Sequence, residues 1–166
     1  GKLVGELQTK YLNESKMTKT EGANIIFHNV YGPWCDFDFD TCQVVPALVK
    51  KASALTDGEK LEVWGGGDQA RSFIHSYDIS KFLLKMVTSK RPIGEFNGAQ
   101  LGSQYGTTID ELAELILRIT GKDKNSIVHI NPNFRGDVGR IPDLSLAHKL
   151  GFNQEISTEQ GIKNLF

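Results

Sequence analysis

Cysteine is scarce: Cys35 and Cys42 are the only two, too few for a disulfide framework and without the paired spacing of a structural zinc site. That scarcity makes a reducing, cytoplasmic setting the default expectation. No apolar run is long enough to cross a bilayer, and no secretory-type order of basic, apolar and small residues opens the chain. Neither sign of charge dominates, since 19 basic and 20 acidic side chains give a formal net charge of -1. A general attraction to nucleic acid or to an anionic membrane is thereby excluded. Internal repeats and low-complexity tracts are missing as well. What remains, with 39% hydrophobic and 23% charged residues over 166 positions, is the composition of a globular domain able to bury a core.

Periodicity supplies the elements. Leu3, Val4, Leu7, Tyr11 and Leu12 predict an amphipathic helix over 2–15 despite Gly5. The run "ANIIFHNVYGP" (23–33) reads as a buried strand entering a loop. A helix comes next over about 43–55 with Pro46 in its first turn, then a short strand over 61–64 and an extended segment over 71–76. Ser76 or Asp78 is expected to cap a helix that turns Ile79, Phe82, Leu83, Met86 and Val87 inward. "EFNGA" (95–99) reads as a brief strand, and Thr108 with Glu111 as a capping box for a helix stopped by Gly121. A strand over 127–130, a short helix over 143–150 and a last helix opened by Ser157 and Gln160 complete the chain. This alternation predicts an α/β fold. At most five short strands are expected, too few for a complete doubly wound nucleotide-binding sheet.

Two polar loops carry the chemistry. In "EVWGGGDQARSF" (62–73), Gly65, Gly67 and Ala70 fit the G-x-G-x-x-G/A pattern of a dinucleotide loop. Such a loop must run straight into a helix, whereas "ARSFIHS" reads as extended, so the glycines predict a tight strand-to-strand turn. That turn is either purely structural or serves Arg71, a planar five-donor cation suited to a diphosphate. In "NFRGDVGRIPD" (133–143), Arg135 and Arg140 flank Asp137, a set that either holds a phosphate and a sugar hydroxyl or forms a surface ion-pair cluster. Asp36, Asp38 and Asp40 open like a calcium loop, but Thr41 replaces the required glycine and Ala47 the bidentate glutamate, so no metal site is predicted. His28, His75, His129 and His148 read as structural, without a neighbouring nucleophile or acid that would form a hydrolytic triad.

In order and spacing, "NVYGP" (29–33), "VVPALVKKA" (44–52), "LEVWGGGDQARSFIHSYDIS" (61–80), "FNGA" (96–99), "TIDELAELI" (108–116) and "RGDVGRIPDLSLAHKLGF" (135–152) resemble one family. They are similar to the C-terminal half of the extended short-chain dehydrogenase/reductases, the NAD-dependent sugar-nucleotide epimerases and dehydratases. "FHNVYGP" and "WGGGDQARSF" resemble most closely the GDP-mannose 3,5-epimerase and nucleotide-sugar 4-epimerase branches. The resemblance implies C-terminal segments of a Rossmann-like sheet plus a small α/β substrate-binding domain, without the N-terminal NAD-binding βαβ units. Residues 1–34 and 71–100 would be late Rossmann-like elements, and 35–70 and 101–166 the substrate-binding portion.

Matched residue by residue, the resemblance implies sugar-nucleotide contacts at Asn29, Gln43, Val44, Glu62, Trp64, Arg71, Arg135 and Asp137. Trp64 would flank the base, Arg71 and Arg135 the diphosphate, and Asp137 the ribose. "GKLVGELQTKYLNE" resembles the helix after the family's Y-x-x-x-K motif, which makes Lys2 the counterpart of its lysine, with the tyrosine and the glycine-rich NAD loop expected before residue 1. Ile26 departs from the arginine that many relatives place there. The expectation is a nucleotide-diphosphate-sugar binder with no catalysis and no NAD of its own, NAD belonging to the complete family enzyme. The alternatives are a non-catalytic interaction remnant and one piece of a split enzyme active only with an N-terminal partner. An exposed sheet edge would favour a homodimer or swapped dimer, with no nucleic-acid or membrane partner.

Overall fold

The computed structural model describes residues 2–15, 18–134, 137 and 139–166. Helix α1 (Lys2–Ser15) forms as its periodicity predicts, yet none of its residues is buried and Leu3, Val4, Leu7 and Tyr11 lie open. Hydrogen bonds moor it instead. Asn13 donates to Gly22 O and accepts from Gly22 N, both at 2.9 Å, and Asn24 Nδ2 donates to Gly5 O at 3.3 Å.

The run 23–33 is two strands, β1 (Ile26–Phe27) and β2 (Val30–Tyr31), because the chain changes neighbours at His28 and Asn29. After α2 (Val44–Ala54) come β3 (Leu61–Trp64), β4 (Ala70–Arg71), β5 (Ile74–His75) and α3 (Ser76–Thr88). The chain continues through a 3-10 turn (Ile93–Phe96), β6 (Gln100–Leu101), β7 (Thr107–Thr108), α4 (Ile109–Ile119) and β8 (Ile127–Ile130). It closes with β9 (Gly139–Arg140), α5 (Ser145–Lys149) and α6 (Thr158–Lys163). Among the described residues, nine short strands therefore replace the five expected at most. They form three parallel pairs, β1 with β6, β2 with β5 and β3 with β8, and a sheet ordered β7-β4-β9.

The apolar run predicts a buried β1, but Ile26 and Phe27 are 37% and 46% exposed. Ile26 N and His28 N donate to Ala99 O and Leu101 O of the β6 segment, so the alternating ladder turns the backbone of Phe27 the other way. Among the described residues no strand pairs with that second edge.

Two apolar clusters hold the rest together. Leu61 and Val63 point inward from β3 to meet Val45, Leu48, Val49 and Ala52 of α2, Leu112, Ile116 and Leu117 of α4, Phe73, and Ile162 of α6. The second cluster gathers Phe82, Phe96 and Phe152 with Ile74, Leu101, Leu144 and Leu150. The capping boxes of Thr108 with Glu111 and Ser157 with Gln160 both form. Residues 93–96 wind into a 3-10 turn rather than a strand, with Pro92 leading into it, Gly98 at φ 83° just after it, and Phe96 buried edge-on to Phe82.

The cap of α3 is neither Ser76 nor Asp78. His75 is the N-cap, its Nδ1 accepting from Tyr77 N at 3.2 Å, and the buried Asp78 carboxylate instead accepts from Glu155 N and Ile156 N at 3.0 and 3.2 Å. Asp78 thereby ties α3 to the segment leading into α6. With Nδ1 an acceptor, the proton of neutral His75 sits on Nε2, buried and without a hydrogen-bond partner among the described residues, while the ring meets Tyr31 edge-on. Burial lowers the His75 pKa from its ordinary 6.5, more strongly than Asp78 raises it. Burial, and then Asp78, raise the Tyr31 pKa, so its hydroxyl stays a donor to Thr158 O. As pH falls below 6.5, the unfolded chain takes up a proton at His75 before the folded one does, and stability is lost. Thermal unfolding followed from pH 7.5 down to 5 should therefore show a declining Tm whose slope shrinks in His75→Asn, which keeps a capping acceptor but does not titrate.

Candidate functional site

The bend between β1 and β2, the start of α2 and the paired strands β4 and β9 surround a cleft of about 680 Å³. Its lining comprises Lys2, the stretch Ile26–Val30, Gln43, Val44, Arg71 and Arg140. Each side chain arrives for a local reason. Lys2 stands in the first turn of α1, Gln43 is the N-cap of α2 with no side-chain capping bond, and Val44 is the first helical residue. The orphan N–H groups of a helix start favour an anion. Arg71 and Arg140 are register partners across the parallel pair β4–β9, which sets two guanidinium-bearing residues side by side.

Like charges so close need counter-dipoles. Arg71 Nη1 donates to Ala70 O at 2.8 Å and Asp137 O at 2.9 Å, while the Arg140 guanidinium grips the Asp137 carboxylate through Nε at 2.7 Å and through Nη2. Nε and Nη2 of Arg71 make no other side-chain bond that competes for a ligand among the described residues. Asn29 Nδ2 donates to Ser72 O at 3.0 Å, and behind it Ser72 Oγ donates to Ser103 O and accepts from Ser103 N. These buried bonds fix the backbone that carries Arg71.

Of the residues expected at a sugar nucleotide, Asn29, Gln43, Val44 and Arg71 line this cleft together with Lys2. Asp137 lies beside it as the partner of Arg140. Glu62 and Trp64 do not line it: both occupy the outward face of β3, Glu62 next to Lys51, whose Nζ donates to Glu62 O at 3.3 Å, and Trp64 65% exposed. Arg135 lies outside the described residues. The loop chemistry offers Arg140, with Arg135 and Asp137, either as a phosphate-holding set or as an ion-pair cluster, while the family resemblance matches it to no ligand contact. Its register opposite Arg71 is a long-range pairing that no local spacing announces.

The glycine turn after β3 is not a dinucleotide loop. Gly65 and Gly67 have φ of 81° and 75° and turn the chain from β3 into β4, not into a helix, so no amide row faces a dinucleotide there. Among the described residues no group of three His, Cys, Asp or Glu could hold a metal ion. Nor is any described helix long and apolar enough to cross a membrane.

A profile described as the NAD dependent epimerase/dehydratase family matches residues 1–99. Similar curated proteins include a dTDP-4-dehydro-6-deoxy-D-allose reductase of a Streptomyces species, 35% identical over 119 residues, covering 70% of this chain and 33% of that protein. A GDP-L-fucose synthase of Sinorhizobium fredii is 32% identical over 149 residues, covering 87% and 46%. Among solved structures, a UDP-glucose 4-epimerase of Thermotoga maritima with UDP-glucose superposes with a TM-score of 0.79 at 26% identity, covering 96% of this chain and 48% of that one. The chain thus spans less than half the length of these relatives. Its mixed α/β architecture with parallel strand pairs is the Rossmann-like one of its structural neighbours. Profile, relatives and fold agree: the chain belongs to the NAD dependent epimerase/dehydratase family.

Proposed function

We propose that this chain is the sugar-nucleotide-binding, C-terminal portion of a family enzyme, taking a nucleoside-diphosphate sugar in the cleft between α2 and the β4–β9 pair. The observation that carries this reading is convergence: Lys2, Arg71 and Arg140, from three separate segments, line one cleft at a helix start with Asn29 and Gln43. The Arg71 guanidinium and the first amides of α2 suit a diphosphate, and the side-chain amides of Asn29 and Gln43 suit hydroxyls. The sequence match to the family's later blocks and the UDP-glucose carried by the Thermotoga epimerase support the same ligand class. In this reading the chain does not transfer hydride unaided, since its glycine turn is no dinucleotide loop. It acts with an NAD-binding half, and the sugar, the base and the reaction are set by that assembly. Calorimetric titration with GDP-mannose and UDP-glucose tests the binding; saturable heat with either supports it, and none with both defeats it.

The open face of α1 and the unpaired edge of β1 carry a second expectation. An open apolar helix face and a strand edge that no strand pairs among the described residues invite association, so the isolated chain should self-associate through them in a cytoplasm-like reducing buffer. Sedimentation velocity should show a concentration-dependent dimer weakened by Phe27→Lys, and a monomer at every concentration would refute it.

A further inference from the structure

The glycine turn after Trp64 joins two strands that belong to different sheets, β3 paired with β8 and β4 paired with β7 and β9. Three glycines leave the angle between them soft, and the conformational freedom they lose must be offset by contacts from outside the turn. Asp110, the second residue of α4, supplies those contacts. Its backbone N–H donates to Gly67 O at 3.1 Å, and its carboxylate lies so close over Gly67 that a Cβ there would overlap it. Oδ1 of the same carboxylate accepts from His129 Nε2 at 2.8 Å. His129 stands on β8 directly opposite Val63, one residue before Trp64. On the other side, α4 begins straight after β7, whose Thr108 opposes Ala70, one residue before Arg71.

From this closed circuit we infer that Asp110, held by His129, is a positioning residue: a strut between the two sheets that sets where Trp64 stands relative to Arg71. It touches no ligand and acts through the turn. The value of the strut for binding rests on the proposed sugar-nucleotide function, in which Arg71, lining the cleft, meets the diphosphate and Trp64, on the outward face of β3, flanks the base. The same carboxylate serves both sheets, so its loss should free the turn without emptying either apolar cluster. Neither Asp110 nor His129 is a member of those clusters.

The test uses the whole chain with Trp34, which is 98% exposed, replaced by Phe so that Trp64 is the sole indole. Time-resolved anisotropy of Trp64 is measured in Asp110→Ala, His129→Ala and Asp110→Asn, alongside Tm and titration with GDP-mannose and UDP-glucose. Asp110→Ala and His129→Ala should speed the nanosecond decay of Trp64 and weaken binding by about tenfold, roughly one charged hydrogen bond misplaced. Asp110→Asn, which keeps the acceptor and the shape, should restore both. A lowered Tm with unchanged Trp64 decay and unchanged affinity would overturn the inference, leaving the pair purely structural. If the parent chain binds neither sugar nucleotide, the functional reading fails while the anisotropy of Trp64 still decides the strut.

Discussion

Replacing Phe73 by alanine should cost about 3–5 kcal/mol of folding stability, the range for a large ring removed from a packed core. Phe73 is 1% exposed and sits in the cluster shared by α2, β3, α4 and α6. Apolar side chains of all four elements meet there, so the ring's loss leaves a void that they would have to close together. The native margin of a domain this size is about 5–15 kcal/mol, so the variant should lie close to unfolding at 37 °C. Urea denaturation at 25 °C measures it, with Phe166→Ala as the control. Phe166 is 57% exposed, and its truncation should stay within about 0.5 kcal/mol. A loss below about 1 kcal/mol in Phe73→Ala would show that the ring is not packed as a core residue.

Arg71→Ala should weaken binding of GDP-mannose or UDP-glucose by about 10–100-fold, the equivalent of about 1.5–3 kcal/mol for hydrogen bonds to a charged group. Arg71 Nη1 is committed to Ala70 O and Asp137 O, which orients the guanidinium, while Nε and Nη2 make no side-chain bond among the described residues and are the donors proposed for a diphosphate. Arg71→Lys keeps the charge but not the fork, and should recover only part of the loss. Calorimetry on both variants, with unfolding curves to confirm equal folding, separates recognition from stability. Equal affinity in wild type and Arg71→Ala would remove this arginine from the site.

The elements legible in the sequence are those whose signals are local. Thr108 and Ser157 announce their helices through capping boxes, and Gly121 and Gly151 end theirs at φ of 71° and 85°. The glycine triplet is legible as a turn because the residues just after it, "ARSFIHS", read as extended. The features that escape are long-range. Nothing near Asp78 in sequence shows that its carboxylate is taken by Glu155 N and Ile156 N, which leaves the cap to His75. Nothing near His28 shows the change of strand neighbour from β6 to β5. The site divides in the same way: Asn29, Gln43, Val44 and Arg71 can be matched to ordered blocks, while the loop sequence leaves Arg140 open between phosphate and ion pair and only its register sets it beside Arg71. Glu62 and Trp64 alternate outward as a strand requires, but alternation says nothing about which cleft an outward face serves.

The parallel pairs also set how the chain reaches its native state. Leu61 opposes Ile127 and Trp64 opposes Ile130, so β3 has no ladder until a segment far along the polypeptide has been made. The loop that must close first contains α3, α4 and the 3-10 turn, and its closure entropy is spent before any β3–β8 bond forms. The helices, which need only near neighbours, can form first and shorten that search. During synthesis, the strand that ends in Trp64 therefore waits for β8 to leave the ribosome, and until then Leu61 and Val63 have α2 behind them but no ladder partner beside them.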